Sequence, residues 1–360
     1  MHPSSIARLP LALLAALALS CAIALVPSAA TAAEPAVPAQ EHAQDAGSGG
    51  AIAEGPHARG GPQLAHAASP HTTATPSGPY SNTPLKWSGG QVQSYTKTYA
   101  IFWLPAGYTY ENWSGGSNSR YISLMERYLA DIGGSTFMNP MTQYYDTSWI
   151  SNSSTFTDAA LDTSPYPVHS GSVYTTDSDI QAEVARWIKA RGWYYGLHEQ
   201  FFVYTASGVL TYDAAVGGWS NHGESSYCAY HSSVSGTTVG LGNYPIVYAN
   251  MPDQDGHYNC YAHVGGTYYS PNHDYTADSM LSLSSHEQFE TITDPEISAW
   301  KDEQGWEEGD KCSYSYGSLA SDGGNVTLNG HRYILQGTFS NEVLTSTGNG
   351  CTWYRAYPLR

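Results

Sequence analysis

The sequence predicts a single globular domain of the α/β (α+β) class, a layered mixed sheet with helices, over residues 85–360. Two observations carry this. Apolar runs of strand length alternate along the chain with apolar stripes at helical spacing, the order that builds layered sheets. Hydrophobic residues make up 41% and aromatics 13% of the 360 residues, enough to bury a sizeable core. No internal repeat is visible.

Tyr99-Ala100-Ile101-Phe102-Trp103-Leu104, stopped by Pro105, reads as a buried strand. Tyr121, Leu124, Met125, Tyr128, Leu129 and Ile132 then form a helical stripe that ends at Gly133-Gly134. A second helix is expected from Ser178, with Gln181 three residues on as a capping box, a stripe of Ile180, Val184, Trp187 and Ile188, and a stop at Gly192. Strands follow at 200–205 and 245–249. A third helix is expected over about 276–293, closed by Asp294-Pro295, because a residue before proline is pushed out of the α region. Short strands around Val326 and at 333–335 complete the pattern.

The first residues read as a leader. Arg8, an apolar run from Leu11 to Val26 and small residues up to Ala33 have the order of a secretory signal peptide over 1–32. An uncleaved anchor and a lipoprotein through Cys21 are the competing readings. Residues 33–84, rich in Ala, Pro, Gly and His, read as a disordered linker or pro-segment, although His42, His57, His66 and His71 make a metal-binding tail conceivable. The mature protein is therefore expected to be secreted, with no membrane attachment once the leader is removed. Cys228, Cys260, Cys312 and Cys351 are even in number, as disulfides require, and no C-x-x-C spacing suggests a metal site instead. Of the three possible pairings, Cys228–Cys260 and Cys312–Cys351 close local loops and are favoured.

Charge narrows the partners. Against 31 Asp+Glu stand only 14 Lys+Arg, a formal net charge of -17, while only 12% of residues are charged. Nucleic acid and anionic lipid both need clustered basic residues, so neither is an expected partner.

The expected third helix carries Ser285-His286-Glu287-Gln288-Phe289-Glu290, an H-E-x-x-E sequence. Residues four apart on a helix project from one face, so His286 and Glu290 can hold one divalent cation. Glu287, one step round, would then reach a cation-bound water as general base, by the logic of H-E-x-x-H zinc hydrolases. Carboxylate in place of the second histidine makes the site harder and the cation's identity more open. A hydrogen-bonded pair on the helix surface is the plain alternative. His198-Glu199-Gln200-Phe201 repeats part of the motif but leads into a strand, and reads as structural. For a third ligand, Asp310 is the first choice and Glu307 the second, both in Glu307-Glu308-Gly309-Asp310-Lys311-Cys312, the densest acidic cluster in a charge-poor chain. His231 is a further candidate, as a ligand or a transition-state hydrogen-bond donor, with a core histidine as the alternative. His257, His263 and His273 have no spacing argument. No G-x-S-x-G elbow or G-K-[ST] loop is present.

Ser285-His286-Glu287 through Glu290-Thr291-Ile292-Thr293-Asp294-Pro295, then Ala299-Trp300, then the run to Cys312, resemble bacterial members of the phosphate-induced protein 1 (EXORDIUM-like) family, with its S-H-E-x-x-E-x-x-T-D-P, A-W, E-I-G-D-x-C pattern. Tyr99 to Trp103, Cys228 to Ser232, Gln336, Ser340-Asn341 and Cys351 extend the resemblance over nearly all of 85–360. Glu308 departs from it, standing where the family has an apolar residue. The resemblance implies a secreted, metallopeptidase-like protein. Plant members are cell-wall-associated and lack the His-Glu pair, so fold and secretion are implied more firmly than catalysis. The element order is also zincin-like by analogy. The expectation is thus a secreted hydrolase, a metallopeptidase acting on peptide or protein, with Zn²⁺ held by His286, Glu290 and Asp310 (or Glu307) and Glu287 as base. A non-catalytic protein that stacks exposed Tyr and Trp on cell-wall polysaccharide is the rival, with the metal structural or absent.

Overall fold

The computed structural model describes residues 82–111, 116–213, 218–221 and 227–355. The expected signal peptide, the metal-binding tail and nearly all of the 33–84 segment lie outside the described residues.

Three strongly apolar stretches form the middle of one mixed sheet. They are β1 (Thr96–Trp103), β3 (Glu199–Thr205) and β5 (Pro245–Pro252), each buried along nearly its whole length. Burial on both faces explains their near-continuous apolar sequences. The edges are β2 (Ser154–Asp162) and β4 (Tyr230–Ser235). The sheet order is β4-β5-β3-β1-β2, parallel throughout except for the antiparallel β4–β5 pair. Neither edge strand is anticipated by apolar runs. β2 alternates with Ser, Thr and Asp because one face meets water, and β4 is Ser-rich.

Side chains alternate across a strand, so the sheet has two apolar faces. Ala100, Phe102, Phe202, Tyr204, Ala249 and Met251 pack with helices α1 (Asn118–Asp131) and α3 (Tyr275–Thr293). Tyr99, Ile101, Trp103, Phe201, Val203, Ile246 and Tyr248 pack with α2 (Asp177–Arg191) on the other face. This is the mixed α/β layering expected from the alternation of elements.

The start of α2 differs from expectation. Its N-cap is Thr176, whose hydroxyl accepts from Asp179 N at 3.3 Å while the Asp179 carboxylate accepts from Thr176 N at 2.7 Å. A charged carboxylate suits a helix N-terminus better than the amide of Gln181. Gln181 instead donates to Asp177 Oδ2 and Tyr248 Oη. Helix α3 begins at Tyr275, capped by Asp274, and ends before Pro295. Beyond α3, residues 298–312 return past its C-terminal half. The chain then forms a hairpin of Val326–Leu328 with His331–Tyr333, and short helix α4 (Asn341–Thr347).

Both favoured disulfides are present, Cys228–Cys260 and Cys312–Cys351, with Cα–Cα distances of 5.7 and 5.6 Å. Paired cysteines fit an oxidising environment. Among the described residues no helix is long and apolar enough to cross a membrane.

Candidate metal centre

Helix α3 is buried from Thr276 to Thr293 despite its polar sequence. Part of that polarity serves the layers around it. Tyr128 Oη donates to Gln288 Oε1 at 2.9 Å, and Ser284 Oγ lies 3.0 Å from Tyr204 Oη. A further set gathers on the side facing β4 and residues 298–312. There His286, Glu287 and Glu290 meet His231 of β4 and Glu307, Glu308 and Asp310 of the acidic stretch, all nearly or fully buried. The pair of the plain alternative is formed, His286 Nε2 lying 3.0 Å from Glu290 Oε1, but it is interior and not on the helix surface.

Strand alternation brings His231 here. Its neighbour Tyr230 points to the opposite face and donates to Asp177 of α2, so His231 faces α3. The Cys228–Cys260 bond anchors the chain just before β4, and Cys312–Cys351 anchors it just after Asp310. Gly309 is required for contact. A Cβ there would lie 2.7–2.8 Å from the His286 ring.

The donors fall into two groups that share one residue. His286, Glu290 and Asp310 form the first, and His231, Glu287 and Glu290 the second, with ligand atoms in each within 4.8 Å of one another. In the first, His286 Nε2 lies 3.0 Å from Glu290 Oε1 and 3.8 Å from Asp310 Oδ1. In the second, His231 Nδ1 lies 3.3 Å from Glu290 Oε2 and 3.5 Å from Glu287 Oε2. Ligand bonds of 2.0–2.1 Å in a tetrahedron place donors about 3.3 Å apart, so both groups are of ligating size. Glu307, the second choice as third ligand, belongs to neither group and sits 3.7 Å from the opposite nitrogen, His231 Nε2. His263 and the His198-Glu199 pair lie elsewhere. His198 stacks on Tyr95 and Glu199 pairs with Lys97.

Each histidine is oriented through its other nitrogen. His286 Nδ1 donates to Gln336 Oε1 at 3.2 Å, and His231 Nε2 donates to the Asp294 carbonyl at 3.3 Å. In the neutral ring that assignment leaves His286 Nε2 and His231 Nδ1 unprotonated and aimed at Glu290, the arrangement typical of metal-bound imidazoles, whereas the protonated rings pair with that carboxylate. The Asp294 contact was not foreseeable from spacing. Gln336 entered only through the family resemblance, because 50 positions separate it from His286.

Electrostatics point the same way. His286 Nε2, His231 Nδ1, Glu290 Oε2 and both Glu287 oxygens are buried and make no hydrogen bond beyond the ion pairs among these residues, so they can turn to a ligand. Burial lowers the basicity of His286, but Glu290, Glu287 and Asp310 overcome it and push the imidazole up to about 10. His231 is likewise raised, by Glu307, Glu287 and Glu290 against the opposing effect of burial. Burial would raise Glu290, yet the two imidazoles bring it down to about 2. Burial holds Glu287, Glu307 and Asp310 above the usual carboxylate range and pushes Glu308 up to about 8. The cluster carries more acid than its histidines can balance and retains protons that a cation can replace. Imidazole nitrogens with carboxylate oxygens and no thiolate fit zinc or a harder divalent ion. These residues can hold a metal ion.

No family model and no curated protein matches the chain.

Proposed function

We propose that the chain is a secreted metal-dependent hydrolase, a peptidase of zincin-like build, with the cation at His286, Glu290 and Asp310. The observation that carries this is the pair of buried imidazole nitrogens aimed at one carboxylate inside a cluster that includes H-E-x-x-E. A bound divalent cation supplies polarisation of a substrate carbonyl and greater acidity for a water molecule. Glu287 takes the proton from the attacking water and returns it to the leaving amine. His231, 3.5 Å away, positions the Glu287 carboxylate. The helix packed on a mixed sheet and the residues of the EXORDIUM-like pattern support this reading, while the substrate class rests on that resemblance alone.

Complete burial of the donors favours a second reading, in which the metal braces the acidic stretch against α3 in a non-catalytic binding protein. The exposed rings of Trp87, Tyr145 and Trp149, with centroids 6.1 and 4.6 Å apart in sequence, would give such a protein a face for polysaccharide. One variant separates the two. Under the hydrolase reading Glu287→Gln keeps the fold and the ion beside His286 but lowers peptide turnover by about 10²–10⁴-fold. Turnover equal to wild type contradicts the role of Glu287, and metal without turnover of peptide libraries by the wild type supports the bracing role.

A further inference from the structure

We propose that the centre holds two divalent cations bridged by the carboxylate of Glu290, an inference that rests on the metal reading above. The two oxygens of Glu290 face different histidines. Oε1 lies 3.0 Å from His286 Nε2, and Oε2 lies 3.3 Å from His231 Nδ1. Among the described residues no ligand group within 4.8 Å contains both histidines, so a single ion cannot take both imidazoles as they stand. Each histidine nevertheless has the same anchoring, one nitrogen donating to a carbonyl oxygen outside the cluster and the other aimed at Glu290.

The donors divide evenly. His286 and Asp310 complete the first site, and His231 and Glu287 the second, with Glu290 common to both. Ions sharing a carboxylate in this way sit about 3.5–4 Å apart. Glu290 Oε1 also accepts from Asp310 N at 3.0 Å, which uses one lone pair and leaves another for the ion.

Charge supports two ions over one. Five carboxylates, Glu287, Glu290, Glu307, Glu308 and Asp310, are buried together. The nearby lysines are engaged with other acids, Lys311 with Asp302 and Lys301 with Asp294. In the cation-free protein protons on the cluster offset part of this charge, and two dications can replace more of them than one. In the second site Glu287 offers Oε2 to the ion, and Oε1 stays available for the proton of water.

Elemental analysis of the purified full chain, equilibrated with Zn²⁺ and passed over a desalting column, tests this. The expected result is about two zinc ions per folded chain, with His231→Ala and His286→Ala each retaining about one. Loading the wild-type chain with Mn²⁺ adds a readout independent of variants and of activity. A bridged pair gives a spin-coupled paramagnetic resonance spectrum, and Glu290→Gln abolishes the coupling. One zinc ion, lost in His286→Ala and kept in His231→Ala, overturns the bridged pair while leaving the functional reading intact. One ion lost in both variants, or isolated Mn²⁺ signals, also overturns it. No zinc in a folded wild-type chain defeats both proposals.

Discussion

Gln336 is a small part of the centre by contact yet governs one of its ligands. By accepting from His286 Nδ1 at 3.2 Å it fixes which imidazole nitrogen is left to ligate. Gln336→Leu keeps the bulk and removes the acceptor. Outer hydrogen bonds of this kind are worth about 10–100-fold in metal affinity, and competition against a chelating dye should find a loss in that range. An unchanged affinity would show that packing alone holds the ring. At this scale the sequence is only partly readable. His286, Glu287 and Glu290 announce themselves because one helix sets their spacing, and Asp310 through its acidic run. His231 has a signal only as a candidate, since its place depends on β4 pairing with β5 at Ala249. Gln336 and the Asp294 carbonyl act through tertiary contacts that no local pattern encodes.

Among the elements, α3 is legible in extent but not in depth. Its length follows from the Asp274 cap and Pro295, while its burial follows from the layers that cover it. Polar residues on every side would suggest an exposed helix. They are interior because sheet hydroxyls, α1 and the acidic stretch each take a share of them. That stretch ends in a single 3₁₀ turn, Asp310–Cys312, and Cys312–Cys351 ties it to the C-terminal segment across a separation of 39 residues. Closing a loop of that length is worth on the order of 4 kcal/mol through the unfolded state. Replacing both cysteines by serine should therefore lower denaturant stability by about 3–4 kcal/mol and weaken metal binding through Asp310. Equal stability with equal affinity would remove the disulfide from the account. The start of α2 is the opposite case. Two capping patterns overlap in sequence there, and the one with the charged acceptor, Asp179, forms.

Across the whole molecule, the buried cluster couples stability to pH. In the cation-free protein the folded value of His286 is raised from 6.5 to about 10, so its stabilisation is complete below 6.5 and lost as pH climbs towards 10. Glu308, raised from 4.5 to about 8, acts in the same direction, because the folded state keeps a proton that the unfolded chain releases. Glu290, lowered from 4.5 to about 2, contributes above 4.5 and loses that contribution as pH falls towards 2. Thermal melts of chelator-treated protein should therefore decline as pH rises from about 4.5, most steeply between 6.5 and 8, where both groups act. Zinc should flatten the decline, since binding replaces the same protons and strengthens as they leave. A melting temperature that rises over this range without zinc would contradict the coupling. The layered fold is legible because the apolar runs of β1, β3 and β5 mark a sheet buried on both faces. The edge strands are not, since their half-exposed sequences look like loops. The central claim is that α3, β4 and the acidic stretch enclose a metal centre. Anomalous diffraction at the zinc edge, from crystals grown with Zn²⁺, tests it most directly. The account predicts an anomalous peak within bonding distance of Glu290 and His286. A folded protein with no peak there, or with zinc bound only elsewhere, would contradict it.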